Sequence, residues 1–517
     1  MFFTGQVDLA SVVGLRLFAP LTPDGIVLLN VFALLSFAGA AATAYLFFRA
    51  LRLRSVLASV LFSLMPYHFL RIGYGHYFLA GFWAVPLIGI LILVAAGRST
   101  DPFRRWSESA GSRRSRTLRS TAPSALLGLL VATTGPYYFV FAVIAVGGAW
   151  LAGTLPDLLA RPRRSSSLAP TAAIGFLSLF VALALFTLGR SFGERFAPYF
   201  TGRTIGESEL YAGKIVTVLL PWQGSGIPLL PRITAKYLAG TFTLHTTESP
   251  GVSLLAAAGL VVGIAAVLLG SRLRRVPTGE ASGLGAFLAD PRLSTLATST
   301  VWVGLFFVSS GLGVVVAYVA GPEIRAWARL SILLALLGLG IAGLALQAVP
   351  GRRLVRGAIV GLVVVAALVD QVGAVTRVVK IDPVSDSDVR TFVARADAAL
   401  PDGCGVAQLP VTDLLPGRSH GAAGSYDEAL PFLHTTPGHL RWSFGSVTGR
   451  RGFRVWQDAT TPSRFAAVVD RTGACAVEVD TLAYSAGSRA WLRTLSAGVA
   501  RVAVSPTGRY LLFRWSR

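Results

Sequence analysis

Glu207 and Glu209 stand two residues apart in GESELYAGK, with Arg203 and Lys214 close by. In an extended segment, residues at that spacing share a face, so the two carboxylates could coordinate a divalent metal or contact a sugar. Solvation or pairing with the neighbouring cations is the plainer alternative. Arg325 and Arg329 in GPEIRAWARLS are four apart, which on a helix puts both guanidiniums on one side. Planar forks of this kind suit a lipid phosphate, as they suit phospholipid headgroups at a membrane boundary. Lys214 could add a point charge to the same phosphate. A third group lies in MPYHFLRIGYGHYFLAGFWAVP, residues Met65 to Pro86, where His68, Arg71 and His76 could line a polar cavity or anchor the chain at the interface. Near the C-terminal end, His434, His439, Arg441 and Trp442 form a polar-aromatic set suited to stacking on a sugar ring or to ordinary packing. Cations of this kind can hold a phosphate, and a carboxylate can serve as a base.

The elements that must position them follow from composition. Of 517 residues, 53% are hydrophobic and 14% charged, with a mean hydropathy of +0.62. A soluble chain carries about 25% charged residues, so lipid must solvate most of this one. The net charge of +22 sits in short loops between apolar runs, the pattern that orients a membrane protein, and this argues against nucleic acid as a partner. Membrane lipids are the expected surroundings. Cys404 and Cys475 are too few and too far apart for a zinc or iron–sulfur site, so no metal is assigned from cysteine or from histidine spacing; a divalent metal on the carboxylate pair is the one cofactor considered.

The pattern predicts an α-helical polytopic membrane protein of about ten spans over residues 1–375, followed by a small α/β extracytoplasmic domain over 376–517. Spans are expected at Ile26 to Phe48, Ser55 to Leu70, Tyr77 to Ala96, Thr171 to Leu188, Val252 to Gly270, Val301 to Ala320, Leu330 to Val349 and Ala358 to Val375. Ala125 to Leu151 is expected as two short segments hinged at Gly135-Pro136. Basic loops 98–121 and 271–299 fall on the cytoplasmic side of a bacterial cytoplasmic membrane, and loop 189–250 on the outside. The first span then runs inward and leaves Met1 outside, so either the N-terminus is translocated unaided or a span precedes it, the second being the expectation. In the C-terminal part, apolar alternation predicts strands at Gly405 to Leu409, Ala474 to Val479, Val499 to Val504 and Tyr510 to Phe513. Helices are expected at Ser387 to Leu400, Pro462 to Asp470 and Ser488 to Leu495. Cys404 and Cys475 each open a strand, so they could form a disulfide or remain two buried thiols.

Three stretches, PYHFLRIGYGHYFLAGFWAVPL at Pro66 to Leu87, ESELYAGKIVTVLLP at Glu207 to Pro221, and SYDEALPFLHTTPGHLRWSFGSVTGR at Ser425 to Arg450, resemble bacterial polytopic proteins described as sugar translocases or glycosyltransferase-like. That group is similar to the GT-C superfamily. The resemblance implies many transmembrane helices, often a soluble C-terminal domain, and transfer of a sugar from a polyprenyl-phosphate carrier to an envelope glycan or lipid at the external face. A flippase-like or non-catalytic protein that moves or presents lipid-linked sugars is the alternative. The family also implies a catalytic carboxylate just after a first helix. The resemblance implies that this sequence would begin within that loop, and Asp8 and Asp24, its only carboxylates before the first span, lie in no Asp-X-Asp or Glu-X-Asp setting.

Overall fold

The computed structural model describes residues 8–22, 24–53, 55–97, 99–160, 203–241, 248, 251–273, 283–379, 383–412, 421–424, 427–443, 455–456, 459, 461–485 and 499–515. The expected span Thr171 to Leu188 and the helix Ser488 to Leu495 lie outside them. The chain divides into two compact units, one of residues 1–20, 27–190 and 203–380, the other of 21–26, 191–202 and 381–517.

The larger unit is helical. Five of its described helical segments are long and apolar enough to cross a membrane: Gly25–Ala50, Val56–Gly73, Pro136–Leu155, Trp327–Ala348 and Arg353–Arg377. About 20 apolar residues span a bilayer core, so the unit is that of a multi-pass membrane protein. The Ser331–Ala348 helix is apolar on every side and accordingly lies in the middle, with Ile332 through Ile341 buried. It crosses the Leu254–Leu273 helix at Gly259 and Gly338, where a side chain on either glycine would run into the other helix's backbone. Small residues at such crossings let helices pack closely where lipid supplies no hydrophobic drive between them.

Several expected spans are corrected by the fold. Tyr77 to Ala96 is not one helix but a single turn, Tyr77–Ala80, and a 12-residue helix, Ala84–Ala95, because Gly81 breaks the run. Val301 to Ala320 is likewise divided. The helix Pro291–Phe307 starts at an Asp290 cap inside the predicted 271–299 loop and ends before Ser309, Ser310 and Gly311, after which Leu312–Ala320 follows. Ser310 has φ +56°, which no helix interior accommodates. The 98–121 loop holds a short helix, Arg104–Glu108, and the start of Arg113–Ala132, so its later arginines are helical. A break does fall before Pro136, but the flanking helices Arg113–Ala132 and Pro136–Ala160 have 20 and 25 residues and are not short segments.

Among the described residues the C-terminal unit has five strands: β1 Cys404–Leu409, β2 Leu440–Trp442, β3 Ala476–Asp480, β4 Arg501–Val504 and β5 Tyr510–Arg514. Their order is β2-β1-β3-β5-β4, with β1 parallel to β2 and β3, and β5 antiparallel to β3 and β4. The helix Pro383–Ala399 covers one face through Phe392 and Val393, and Pro462–Thr472 covers the other through Phe465 and Val469. Strand β2 was not foreseen, since three residues are too few to show an alternation. Cys404 and Cys475 are joined as a disulfide, with Cα atoms 5.7 Å apart.

On one face of this sheet Glu478 and Asp480 are fully buried beside Gln408 and Glu428. Burial, reinforced by the Asp480 charge, pushes the Glu428 carboxyl up to about 7. The folded unit therefore holds a proton that the unfolded chain gives up nearer 4.5. The resulting stabilisation is complete below that lower value and is lost as pH rises through about 7. Unfolding followed by urea titration should show the C-terminal unit weakening between pH 5 and pH 8, and Glu428→Gln should flatten that slope. An unchanged slope in the variant would assign the pH effect to other groups.

Candidate functional site

The helix Pro66–Gly73 begins at Pro66, whose fixed φ suits a first helical position, and carries Arg71 near its end. A strap of residues 251–253 lies against it. Tyr67 donates its backbone N–H to Gly251 O at 2.9 Å, and Ser253 N–H points to Met65 Sδ at 3.4 Å. Leu254 N–H, at the start of the next helix, donates to Asp370 Oδ2 at 2.9 Å. Gly251 has φ +56°, and a Cβ there would stand 2.6 Å from the Tyr67 nitrogen. Gly251→Ala should thus push the strap off the helix. A thermal scan in detergent should record a clearly lowered melting temperature, and retention of the wild-type value would show that the strap tolerates a side chain.

Three positions before Gly251 in the sequence stands Glu248. Its carboxylate lies between two guanidiniums: Arg71 Nη1 is 2.9 Å from Oε2, while Arg329 Nε donates to Oε1 and Oε2 at 3.0 Å each and its Nη2 also donates to Oε1. The Arg71 side chain is fully buried, and those of Glu248 and Arg329 are 5% and 14% exposed. Aromatic rings form the walls, with Arg71 4.6 Å above Tyr67 and Arg329 4.3 Å above Tyr137. Such rings attract a guanidinium electrostatically and hold it flat. Burial pushes the Glu248 carboxyl up, but hydrogen bonds from Arg329 and the charge of Arg71 outweigh this and hold it below the usual carboxylate range. His76 Nδ1 lies 3.5 Å from Arg71 Nη1. Burial, then the charges of Arg71 and Arg329, bring its pKa down to about 4, so at neutral pH the imidazole is uncharged and accepts from Arg71.

The residues foreseen from sequence are distributed as follows. Arg329 and Arg71 come together. Arg325 does not join them: it precedes the 3-10 turn Trp327–Leu330, so the expected shared helical face does not exist, and it pairs with Glu207 at 2.5 Å while lying 5.0 Å above Tyr211. Glu207 and Glu209 belong to the helix Ile205–Leu210, started by a reciprocal cap between Thr204 and Glu207, rather than to an extended segment. Residues two apart on a helix face different ways. Glu209 instead accepts from Ser310 N at 2.9 Å and Ser310 Oγ at 2.7 Å, an arrangement that does not fit one metal ion shared with Glu207. Among the described residues no group of three His, Cys, Asp or Glu is arranged to hold a metal. Lys214 stands at the start of the helix Ile215–Leu219. His68 is fully buried, its Nδ1 2.9 Å from Ser63 O and its Nε2 2.6 Å from Ser36 Oγ, with the Phe37 ring stacked at 3.6 Å.

In the C-terminal unit, His434 lies 3.3 Å from Asp386, His439 pairs with Asp402, Arg441 donates to Gly403 O at 3.0 Å, and Trp442 donates to Thr435 Oγ1 at 2.7 Å. Trp442 is buried in the core beside Leu440 and Val406. Sequence reasoning missed Glu248 altogether. The available signal was an acid followed closely by Pro250 and Gly251 at the mouth of an apolar span, a turn that could fold a carboxylate back onto the preceding helices.

Fold and site together define a multi-pass helical membrane protein with a small mixed sheet unit and a buried arginine–glutamate–arginine centre. A family profile described as DUF6311, a domain of unknown function, matches residues 8–206. Among solved structures, the chain is similar to arabinofuranosyltransferase AftD from Mycobacteria, at 16% identity and a TM-score of 0.36. That match covers 88% of this chain, which spans 30% of the AftD chain. It is also similar to ArnT from Cupriavidus metallidurans in the apo state, at 11% identity over 93% of this chain and 82% of that one, with a TM-score of 0.33. The same protein bound to undecaprenyl phosphate gives 12% identity, coverage of 97% and 86%, and a TM-score of 0.33. No curated protein sequence matches the chain.

Proposed function

We propose that the chain is a GT-C-like integral membrane glycosyltransferase that receives the phosphate of a polyprenyl-phosphate sugar on Arg71 and Arg329 and passes the sugar to an envelope glycan or lipid. The observation that carries this reading is the convergence of two buried guanidiniums on the same pair of carboxylate oxygens, between aromatic walls. A carboxylate and a phosphate present similar oxygen pairs, and an arginine fork binds either. Excluded from water, such cations stabilise a leaving phosphate far more than exposed ones do. The distribution of basic loops supports a bacterial cytoplasmic membrane with the C-terminal unit outside it, and the three resembling stretches support a lipid-linked sugar as donor.

One observation favours a second reading, a protein that presents or moves the lipid without transfer. Glu248, the carboxylate at the centre, is held ionised by its two arginines and so is a weak base for activating an acceptor. Incubating the full chain in nanodiscs with a panel of polyprenyl-phosphate sugars and acceptor glycans separates the two. Mass spectrometry should find a glycosylated acceptor together with released polyprenyl phosphate. Saturable binding without product across the panel would replace the transferase reading by the second one.

A further inference from the structure

The segment that carries Glu207 continues into two helices too short to cross a membrane, Ile215–Leu219 and Leu230–Gly240. Both show apolar side chains to the outside. Ile215 and Leu219 are 63% and 42% exposed, and Leu229 and Ile233 are 67% and 51% exposed. Residues four apart share a side of a helix, so Leu229 and Ile233 make one apolar stripe along the start of the second helix, in which no residue is buried. Arg232 and Lys236 are also four apart and exposed, and neither meets a carboxylate among the described residues. Successive helical residues turn by about 100°, so these two cations flank the stripe, while Ala235, two past Ile233, faces nearly the other way.

The corner between the helices fixes their level. Trp222 Nε1 donates to Asp370 O at 2.6 Å, Gly226 N–H to Val369 O at 3.0 Å, and Ala374 N–H to Gly224 O at 3.2 Å. A Cβ on Gly226 would stand 2.7 Å from Gly373 Cα, so the close approach depends on glycine. Thr234 Oγ1 donates back to Pro221 O and ties the middle of the second helix to the corner. The corner is therefore fastened to the last turn of Arg353–Val372, a helix of membrane length whose exposed side chains Leu354, Leu362 and Val365 are apolar. Such a helix ends at the bilayer boundary, and the corner is held at that end.

We infer that Leu230–Gly240 lies in the headgroup layer of the bilayer, with Leu229 and Ile233 among the upper acyl carbons and Arg232 and Lys236 on the phosphates of anionic phospholipid. An apolar stripe is unfavourable in water and is buried by lipid at this depth, and flanking cations reach out to headgroups while their stems lie along the apolar surface. Two cations without carboxylates complement a headgroup with net negative charge better than a zwitterionic one.

Because the chain's two cysteines are joined to each other, an introduced cysteine is the one thiol open to labelling. Ile233→Cys, or Leu229→Cys should the first fail to fold, is labelled with bimane in the full chain and placed in nanodiscs of phosphatidylcholine mixed with phosphatidylglycerol. Quenching by a lipid with a nitroxide near its headgroup, divided by quenching by aqueous iodide, should be at least threefold higher there than at Ala235→Cys. In phosphatidylcholine alone the ratio at the apolar position should fall, and Arg232→Gln with Lys236→Gln should erase the difference between the two lipid compositions. Equal ratios on the two sides of the helix would overturn the proposal, since the helix would then lie in water. Protection of the apolar position from both quenchers would overturn it as well, because a protein surface such as a second copy would cover the stripe. A ratio that does not respond to phosphatidylglycerol in the chain with both cations would overturn the assignment of Arg232 and Lys236 to anionic headgroups.

Discussion

Arg329→Met should weaken binding of undecaprenyl phosphate to the full chain at least tenfold. The Arg329 fork engages both oxygens of the Glu248 carboxylate and is held flat over Tyr137, so it is already in the geometry a phosphate needs. A hydrogen bond to a charged group contributes roughly 1.5–3 kcal/mol, and about 1.4 kcal/mol is a factor of ten in affinity. Losing the fork removes more than one such bond. Arg329→Lys should recover little, because an ammonium is a point charge that cannot address two oxygens in one plane. Arg325→Met should change the affinity less than threefold, since that guanidinium is committed to Glu207 and is about one-third exposed. Equal losses at 325 and 329, measured by fluorescence or calorimetric titration in nanodiscs, would remove the special role of the central pair.

Arg509→Met should unfold the C-terminal unit at much lower urea or temperature than the wild type. Arg509 bonds Asp480 through Nε at 3.1 Å and Nη2 at 2.6 Å and reaches Asp427 at 2.5 Å, with its own side chain 13% exposed and that of Asp480 fully buried. Methionine would leave the Asp480 charge in the interior beside Glu478 and Glu428, without its cation. Removing one partner of a buried pair costs about 3–5 kcal/mol, because the remaining charge is uncompensated. Asp480→Asn in the same chain should restore part of the stability, because it removes the charge left without its cation. Limited proteolysis of the full chain, read at cut sites after residue 383, would follow the unit specifically. A stability loss that Asp480→Asn does not relieve would mean that Arg509 acts through packing.

The larger lesson concerns which residues announce themselves. The apolar runs around Gly25–Ala50, Leu254–Leu273, Ser331–Ala348 and Arg353–Val372 were legible because burial in lipid or protein requires composition, and composition is local. The strands β1, β3, β4 and β5 were legible for the same reason, through their alternation. Breaks inside apolar runs were harder, because Gly81 and the Ser309 to Gly311 corner interrupt a helix without changing its average hydropathy.

Arg71 could be picked out near the end of an apolar run, where an ionisable residue is conspicuous. Its partners could not. Arg329 lies 258 positions away and Glu248 177, and nothing in the spacing of charges along the chain says which carboxylate a given arginine will meet. Thr204 turned the Glu207 and Glu209 pair into a helix and sent the two acids to different partners, which their two-residue spacing alone had concealed. The sequence by itself determined that this chain lives in a membrane, ends in a sheet-forming segment, and carries arginines near the ends of its apolar runs. Only the tertiary structure decided that Arg71 and Arg329 share Glu248, because pairing between distant charges is set by how helices cross and where a strap is tied down, and those are properties of packing rather than of any local stretch.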